Sequence, residues 1–198
     1  MTTALDQATG VLIGKHALHQ MRVVLEREAG AKAPLLLREI GFANGEAIYE
    51  SFERWCRTNY RVDSARELDF SILGEALSRF FVEAGWGSVS LSELAPSVLA
   101  FDGSSWAEAE PQKAEYPSCH FSCGLLADFF TRLGTSRAAV MEVECASRGE
   151  DRCRFLVGSP DVLTYLYERM TNGSTYQEAV GGPPRAAGTE SDPANPQG

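Results

Sequence analysis

The sequence predicts an α+β fold in which an antiparallel sheet carries flanking helices and a helical pair precedes it. Apolar residues recur at helical spacing through the first third of the chain. After the segment GWG at 85–87 the period changes to that of short strands, and a hairpin pattern with a helix start follows. Helices that come first and strands that cluster later are typical of α+β rather than of alternating α/β folds.

Composition limits the function. The chain has 198 residues, of which 44% are hydrophobic and 23% charged, and its formal net charge is −9. This acidic surplus argues against nucleic-acid binding, which requires clustered Lys and Arg. No apolar run approaches the roughly 20 residues that span a bilayer. The N-terminus lacks the basic start and apolar stretch of a secretory signal. We therefore expect a bacterial, cytoplasmic protein with no membrane span.

The first third predicts two helices. Residues 1–10 are expected to form a flexible arm. Apolar positions then recur at helical spacing over 11–28, and Gly30 follows as a stop. A second amphipathic helix is predicted over 34–59, with a proline at its start. Long helices with apolar flanks occur at homodimer contacts and also as plain covers of a sheet, so both interpretations of 11–60 stay open.

The middle of the chain changes from helix to strand. A capping residue at 63–64 can begin a third helix that ends near Gly85. Apolar positions at 89–91 and 98–101 predict a pair of short strands. The run CHFSCGLLADFFTRL at 119–133 then predicts a fourth helix, because a glycine follows it as a stop.

The segment VMEVECASRGEDRCRFLVGSP, residues 140–160, predicts a β-hairpin folded about Gly149. Strand alternation then places an apolar row on one buried face, and two thiols end that row at the turn. The opposed pairs on this face are Cys145 with Cys153, Val143 with Phe155, and Met141 with Val157. On the other face Glu144 meets Arg154, which predicts an ion pair.

The end of the chain predicts one more helix and a tail. Ser159 and Pro160 supply the cap and the first residue of a helix that ends at 172–173. We expect a single domain over 11–175 and a disordered tail over 176–198, because the end of the chain is rich in Pro, Gly and Ala and has little to bury.

The five cysteines are an odd number, which in a reducing compartment favours metal ligation over a disulfide framework. For Cys145 and Cys153 three explanations stay open: a disulfide, two small core residues, or a zinc site with about four tetrahedral ligands. Cys119 and Cys123 lie one helical turn apart, so either can supply a third sulfur. The fourth ligand would be a nearby carboxylate or His120.

A motif of cysteines, glycines and a glutamate spans 119–160. In order and spacing it consists of Cys119-xxxx-Gly124, Glu142-xx-Cys145, Gly149 and Cys153. This motif resembles the four-vinyl-reductase domain family, which includes bacteriochlorophyll-cluster proteins, archaeal stand-alone domains and the aromatic-sensing domains of phenol- and xylene-responsive activators. The family's fold is similar to that of the Bet-type subunits of the TRAPP tethering complex. Over 11–118 the likeness is one of element order.

The resemblance implies a zinc ion with four protein ligands. Carried over, these are Cys119, Glu142, Cys145 and Cys153. The mapping favours Glu142 over Glu144, although Glu142 has the wrong strand parity to face Cys145, so it also implies a bulge or sharp twist. Cys56 and Cys123 have no ligand role in it and are expected in the core. Four protein ligands close a tetrahedral shell, which indicates a structural rather than a catalytic metal.

The resemblance also implies a ligand, because sensor members of the family bind small aromatic molecules in a cavity. Phe101, Trp106 and Val140 are candidate lining residues, and ordinary core packing is the alternative for each. Catalysis is not indicated: GWGSVS lacks the third glycine of a dinucleotide fingerprint, and the three histidines have no obvious catalytic partners.

These inferences predict a stand-alone, zinc-stabilised sensor or carrier domain for a hydrophobic or aromatic ligand, which forms a homodimer. Whether it is an enzyme stays open, with a non-catalytic role favoured. The alternatives are an accessory protein in bacteriochlorophyll or tetrapyrrole vinyl reduction, and a TRAPP-like protein–protein adaptor.

Overall fold

The computed structural model describes residues 13–111 and 113–182. The predicted arm over 1–10 and the end of the tail from 183 lie outside these residues. In chain order the helices are α1 (Lys15–Ala29), α2 (Ala33–Tyr60), α3 (Phe70–Glu83), α4 (His120–Gly134), α5 (Pro160–Thr171) and α6 (Tyr176–Val180), and the strands are β1 (Ser88–Ala95), β2 (Val98–Ser104), β3 (Ala139–Glu144) and β4 (Cys153–Gly158). The predicted α+β class, with a helical pair before an antiparallel sheet, is confirmed.

The sheet separates two apolar cores. Its strand order is β1-β2-β4-β3, and every neighbouring pair is antiparallel. Helices α2, α3 and α4 cover the inner face, where aromatic side chains such as Phe52, Phe81 and Phe129 are fully buried. Helices α5 and α6 cover the outer face around Leu156 and Leu166. Alternating strand residues therefore have an apolar layer on either side.

Helices α2 and α4 touch through their backbones. A Cβ atom built on Gly41 would lie 2.0 Å from the carbonyl oxygen of Phe121, and one built on Gly124 would lie 2.0 Å from the carbonyl oxygen of Arg38. Both distances are far below any normal carbon–oxygen contact, so only glycine fits at this crossing. The glycine at 124 thus places the start of α4 directly against α2.

The hairpin has a different register from the predicted one. The observed partners are Val140 with Val157, Met141 with Leu156, Glu142 with Phe155, and Glu144 with Arg154. The predicted pair Glu144–Arg154 is confirmed, whereas the pairs Met141–Val157 and Val143–Phe155 were wrong. The reason is a β-bulge between Glu142 and Glu144, in which Val143 is the extra residue. Val143 consequently joins the outer core, and Glu142 turns to the inner face.

Two predicted boundaries also differ from the structure. Ser64 caps a short 3-10 turn at 65–67 in a capping box with Glu67, and α3 begins only at Phe70. Residues 176–180 were assigned to the disordered tail, yet they form α6 behind a capping box of Thr175 and Glu178. This short helix is held because the side chain of Tyr176 packs into the outer core.

Candidate metal centre

Four side chains converge where the start of α4 meets the turn of the hairpin. One ligand atom each from Cys119, Glu142, Cys145 and Cys153 lies within 4.8 Å of all the others. The Sγ atom of Cys119 is 3.8 Å from that of Cys145 and 3.7 Å from that of Cys153. The three cysteines are fully buried and Glu142 is 8% exposed. These are the four residues that the resemblance implied.

Local backbone structure places each ligand. Cys119 is the residue directly before α4, and its backbone N–H donates to Oε2 of Glu142 at 2.9 Å. The bulge turns Glu142 inward, as the parity argument required. A short 3-10 turn follows Cys145, and Gly149 closes it with a φ of 107°, which glycine adopts without strain. The backbone N–H of Ala146 then donates to the Sγ atom of Cys153 at 3.5 Å.

The site was tested for its fit to a metal ion by its polar atoms and its distances. Oε1 of Glu142 is buried and has no hydrogen-bond partner among the described residues, which is costly unless a cation meets it. Three sulfurs and one carboxylate are a donor set that zinc accepts. A tetrahedral zinc with bonds of about 2.3 Å separates its sulfurs by about 3.8 Å. The measured sulfur separations agree, so these residues fit zinc.

The electrostatics of the cluster favour an added cation. Hydrogen bonds from Cys119 and Cys153 hold the pKa of the Cys145 thiol far below its ordinary value. Hydrogen bonds to Cys145 and Cys153, together with burial, raise the pKa of Cys119, and burial raises that of Glu142. By itself the cluster thus stabilises one negative charge. A bound dication would remove this limit, because cysteines ligate metals as thiolates.

A second group of polar residues supports the start of α4, and the sequence reasoning missed it. The buried carboxylate of Glu108 accepts hydrogen bonds from the backbone N–H groups of Phe121 at 3.0 Å and Ser122 at 2.7 Å. The Ser122 hydroxyl donates to the same carboxylate and accepts from the indole of Trp106. Glu108 therefore caps α4 from a loop that precedes the helix in the chain. Only an acidic residue ahead of a helix hinted at this role.

The predicted ligand-contact residues lie in the inner core. The rings of Phe101 and Trp106 are 5.7 Å apart, and Trp106 is also 5.7 Å from the ring of Phe155. Val140 belongs to the same core and is 8% exposed. Their role in ligand binding stays a prediction.

A separate apolar cavity of about 480 Å³ lies at the C-terminal end of α4, at the other end of that helix from Cys119. Its walls include Leu99, Phe130 and Val157, and none of the three predicted contact residues lines it. Phe101 and Val140 nevertheless lie next to those walls: Phe101 packs on Phe130 with ring centroids 5.8 Å apart, and Val140 pairs with Val157.

Comparison with known proteins assigns the metal-centre segment. Residues 104–159 match the family model of the vinyl-4-reductase domain. The resemblance to the four-vinyl-reductase family is confirmed. The matched segment contains all four converging residues and the supporting Glu108. An uncharacterized protein MJ0745 of Methanocaldococcus jannaschii is 32% identical over 81 residues, which are 41% of this chain and 44% of that protein. The match therefore spans less than half the length of this relative.

Solved structures of other proteins share the fold. The phenol-responsive sensory domain of the transcription activator PoxR, solved with phenol, aligns at a TM-score of 0.55 and 21% identity over 76% of each chain. A trafficking protein particle complex subunit 3 from Naegleria fowleri, covalently bound to palmitic acid, aligns at a TM-score of 0.53 and 12% identity over 73% of this chain and 93% of its own. At these identities the likeness establishes the fold alone. In the part of the chain that the structure describes, no helix is long and apolar enough to cross a bilayer.

Proposed function

We propose that this chain is a zinc-stabilised binding domain that acts in the cytoplasm as a sensor or carrier of a small hydrophobic or aromatic molecule and performs no catalysis of its own. The observation that carries the proposal is the convergence of three buried thiols with a buried carboxylate whose Oε1 atom has no partner among the described residues. Cys119 would hold the ion from α4, and Glu142, Cys145 and Cys153 would hold it from the hairpin. When bound, zinc supplies a cross-link between these two elements and offers no open position for a substrate.

The ligand-binding part of the proposal has separate support. The PoxR sensory domain has the same fold and was solved with phenol. The apolar cavity at the end of α4 has a volume of about 480 Å³, within the range of roughly 300–1,000 Å³ typical of small-molecule sites. Because α4 carries Cys119 at one end and the cavity wall at the other, a fixed helix start would also fix this wall. Phe101, Trp106 and Val140 are proposed to shape the cavity from behind its walls.

A TRAPP-like adaptor is the second candidate, and exposed apolar side chains on the first two helices favour it. Ile13, just before α1, is 66% exposed, and on α2 Leu35 and Phe42 are 59% and 49% exposed. Such side chains fit a protein partner or a second copy of the chain. The two candidates differ in their consequence for the cavity, because an adaptor does not require it to be filled.

Metal analysis tests the structural half of the proposal. Protein purified without added metal is expected to contain about one zinc ion per chain by elemental analysis, and native mass spectrometry should give the same mass increment. Cys153→Ser should lose the metal and unfold at a lower denaturant concentration, because metal binding and folding are linked. The matched control is Cys56→Ser, a change at a buried thiol outside the cluster, which should retain the metal. A well-folded wild-type protein without metal would refute the proposal.

Ligand retention tests the functional half. Native mass spectrometry of protein isolated from its own organism is expected to detect a retained small molecule in addition to zinc. A metal-loaded protein that retains no small molecule, and that no apolar or aromatic compound stabilises against heat, would favour the adaptor instead. Capture of a defined protein partner by that ligand-free form would then support the adaptor directly.

A further inference from the structure

We infer that the cavity at the end of α4 takes an anionic amphiphile, with its apolar body inside and a carboxylate head group at Arg66 and Arg137. The inference rests on the proposed small-molecule function and adds the location of the site and the charge of its ligand. The cavity is called the α4-end cavity below.

The walls of the α4-end cavity come from three parts of the fold. The start of α3 contributes one side, the inner face of the sheet the floor, and the last turn of α4 the other side. All of the wall side chains that face one another across it are apolar. They include Leu73, Leu91, Leu99, Val157, Phe130 and Leu133. An alkyl or aryl group can therefore leave water there without burying a polar atom.

The rim of the cavity has the opposite charge from the protein as a whole. Arg66 and Arg137 line the cavity, and none of its described lining residues is acidic. The chain contains 27 acidic and 18 basic residues, so an all-positive rim is not what its composition predicts. A neutral apolar ligand would make no use of these two cations, whereas an anionic head group would pair with them.

Neither rim arginine is neutralised by a carboxylate in the described chain. The guanidinium of Arg66 donates to the backbone carbonyl oxygens of Leu133, at 3.2 Å, and of Arg132. These contacts hold it beside the cavity and leave its charge in place. Arg137 forms no ion pair with any described residue, although its neighbour Arg132 pairs with Asp128 at 2.7 Å. The free charge is thus concentrated at the mouth of the α4-end cavity.

A matched pair of probes isolates the charge. Dodecanoate and dodecan-1-ol share an alkyl chain and differ in the anionic head group. The full-length, metal-loaded protein should bind dodecanoate about three- to tenfold more tightly by isothermal titration calorimetry, because both arginines are solvent-exposed and exposed ion pairs are weak. This preference should shrink as salt is raised, since salt screens exposed charges.

Three variants locate the effect. Arg137→Gln should lower dodecanoate affinity to that of the alcohol and leave alcohol binding unchanged. Arg61→Gln is the matched control: it removes the same charge from an exposed arginine outside the cavity lining and should change neither affinity. Leu99→Trp should fill the cavity and weaken both probes, and Leu91→Trp serves the same purpose if the first variant does not fold.

The outcomes separate the inference from the proposed function. Equal affinity for the two probes, or a dodecanoate preference that survives both Arg66→Gln and Arg137→Gln, overturns the anionic ligand and leaves a neutral-ligand sensor standing. Binding of both probes that Leu99→Trp and Leu91→Trp do not weaken overturns the location. Loss of the preference in Arg137→Gln, with both probes weakened by the tryptophan variants, supports the inference in full.

Discussion

Glu142 and Glu144 stand two residues apart on β3 and have different neighbours. Glu142 faces the thiols, whereas Glu144 lies on the outer face, where its Oε2 atom is 2.8 Å from Nε of Arg152. Glu142→Gln is expected to lower zinc affinity by at least about tenfold, the lower limit for changes around metal ligands. Competition with a chromophoric chelator measures this.

Glu144→Gln is the control for that experiment, because it makes the same chemical change on the opposite face of the strand. It should leave zinc affinity unchanged and instead weaken the attachment of α6, whose Tyr176 hydroxyl donates to Glu144. Equal loss of zinc in both variants would contradict the assignment of Glu142 as the carboxylate ligand.

Glu108 gives the protein a predictable dependence of stability on pH. Burial raises its pKa from 4.5 to about 7 in the folded state. Between these values the folded state binds a proton more readily than the unfolded chain, so the contribution of Glu108 to the free energy of unfolding falls as pH rises from about 4.5 to about 7. The fall amounts to roughly 3 kcal/mol at most, at about 1.4 kcal/mol for each pKa unit.

Comparison with Glu108→Gln isolates this contribution, because other titrating groups, including those of the metal centre, act in both proteins. Urea denaturation across this pH range should show the wild-type free energy of unfolding decreasing relative to that of the variant. A constant difference between the two proteins would mean that Glu108 titrates near its ordinary value.

At the scale of elements, the crossing of α2 and α4 is the most tightly constrained contact. Gly124→Ala would place a methyl group 2.0 Å from the carbonyl oxygen of Arg38. We expect a loss of stability above the roughly 1–3 kcal/mol that overpacking typically costs, since a helix backbone cannot move aside as a side chain can. Thermal and urea unfolding measure this.

Gly134→Ala is the matched control in the same helix. No atom lies within 4 Å of a Cβ at this position, so the variant should be neutral or slightly stabilising. If the two alanine variants were equally stable, the helices would have to be further apart than described here.

Helix periods, helix caps and the order of elements could be predicted from local residues. Ser159, for example, accepts a hydrogen bond from the backbone N–H of Val162, as its position before Pro160 indicated. The bulge at Val143 could not be predicted from alternation, which assumes a regular strand. The choice of Glu142 came from the family resemblance. The role of Glu108 depends on a contact across a loop, which spacing along the chain does not encode.

For the whole molecule, we predict a homodimer through the first two helices. An apolar groove of about 420 Å³ runs between α1 and α2, lined by Met21, Leu25 and Ile40 among others. Burial of this groove by a second copy would remove apolar area from water. Sedimentation at tens of micromolar should give the mass of a dimer for the wild type and of a monomer for Ile40→Asp.

Ile72→Asp provides the control, because Ile72 on α3 is 39% exposed and Ile40 is 41% exposed. The same change outside the groove should leave the dimer intact. A wild-type monomer at this concentration, or dissociation by both variants alike, would contradict dimerisation through the α1–α2 groove.

The extra residue in β3 affects how this site should be recognised in other sequences. Glu142 and Cys145 are three positions apart yet face the same side, which a regular strand does not allow. An odd spacing between two residues of one site is therefore a readable signature of a bulge. A homologue that lacked a residue at Val143 would have Glu-x-Cys in an unbroken ladder and would present the same ligands inward. An alignment gap at this position is thus compatible with an intact centre, and ligands are better matched by the strand face they occupy than by their column.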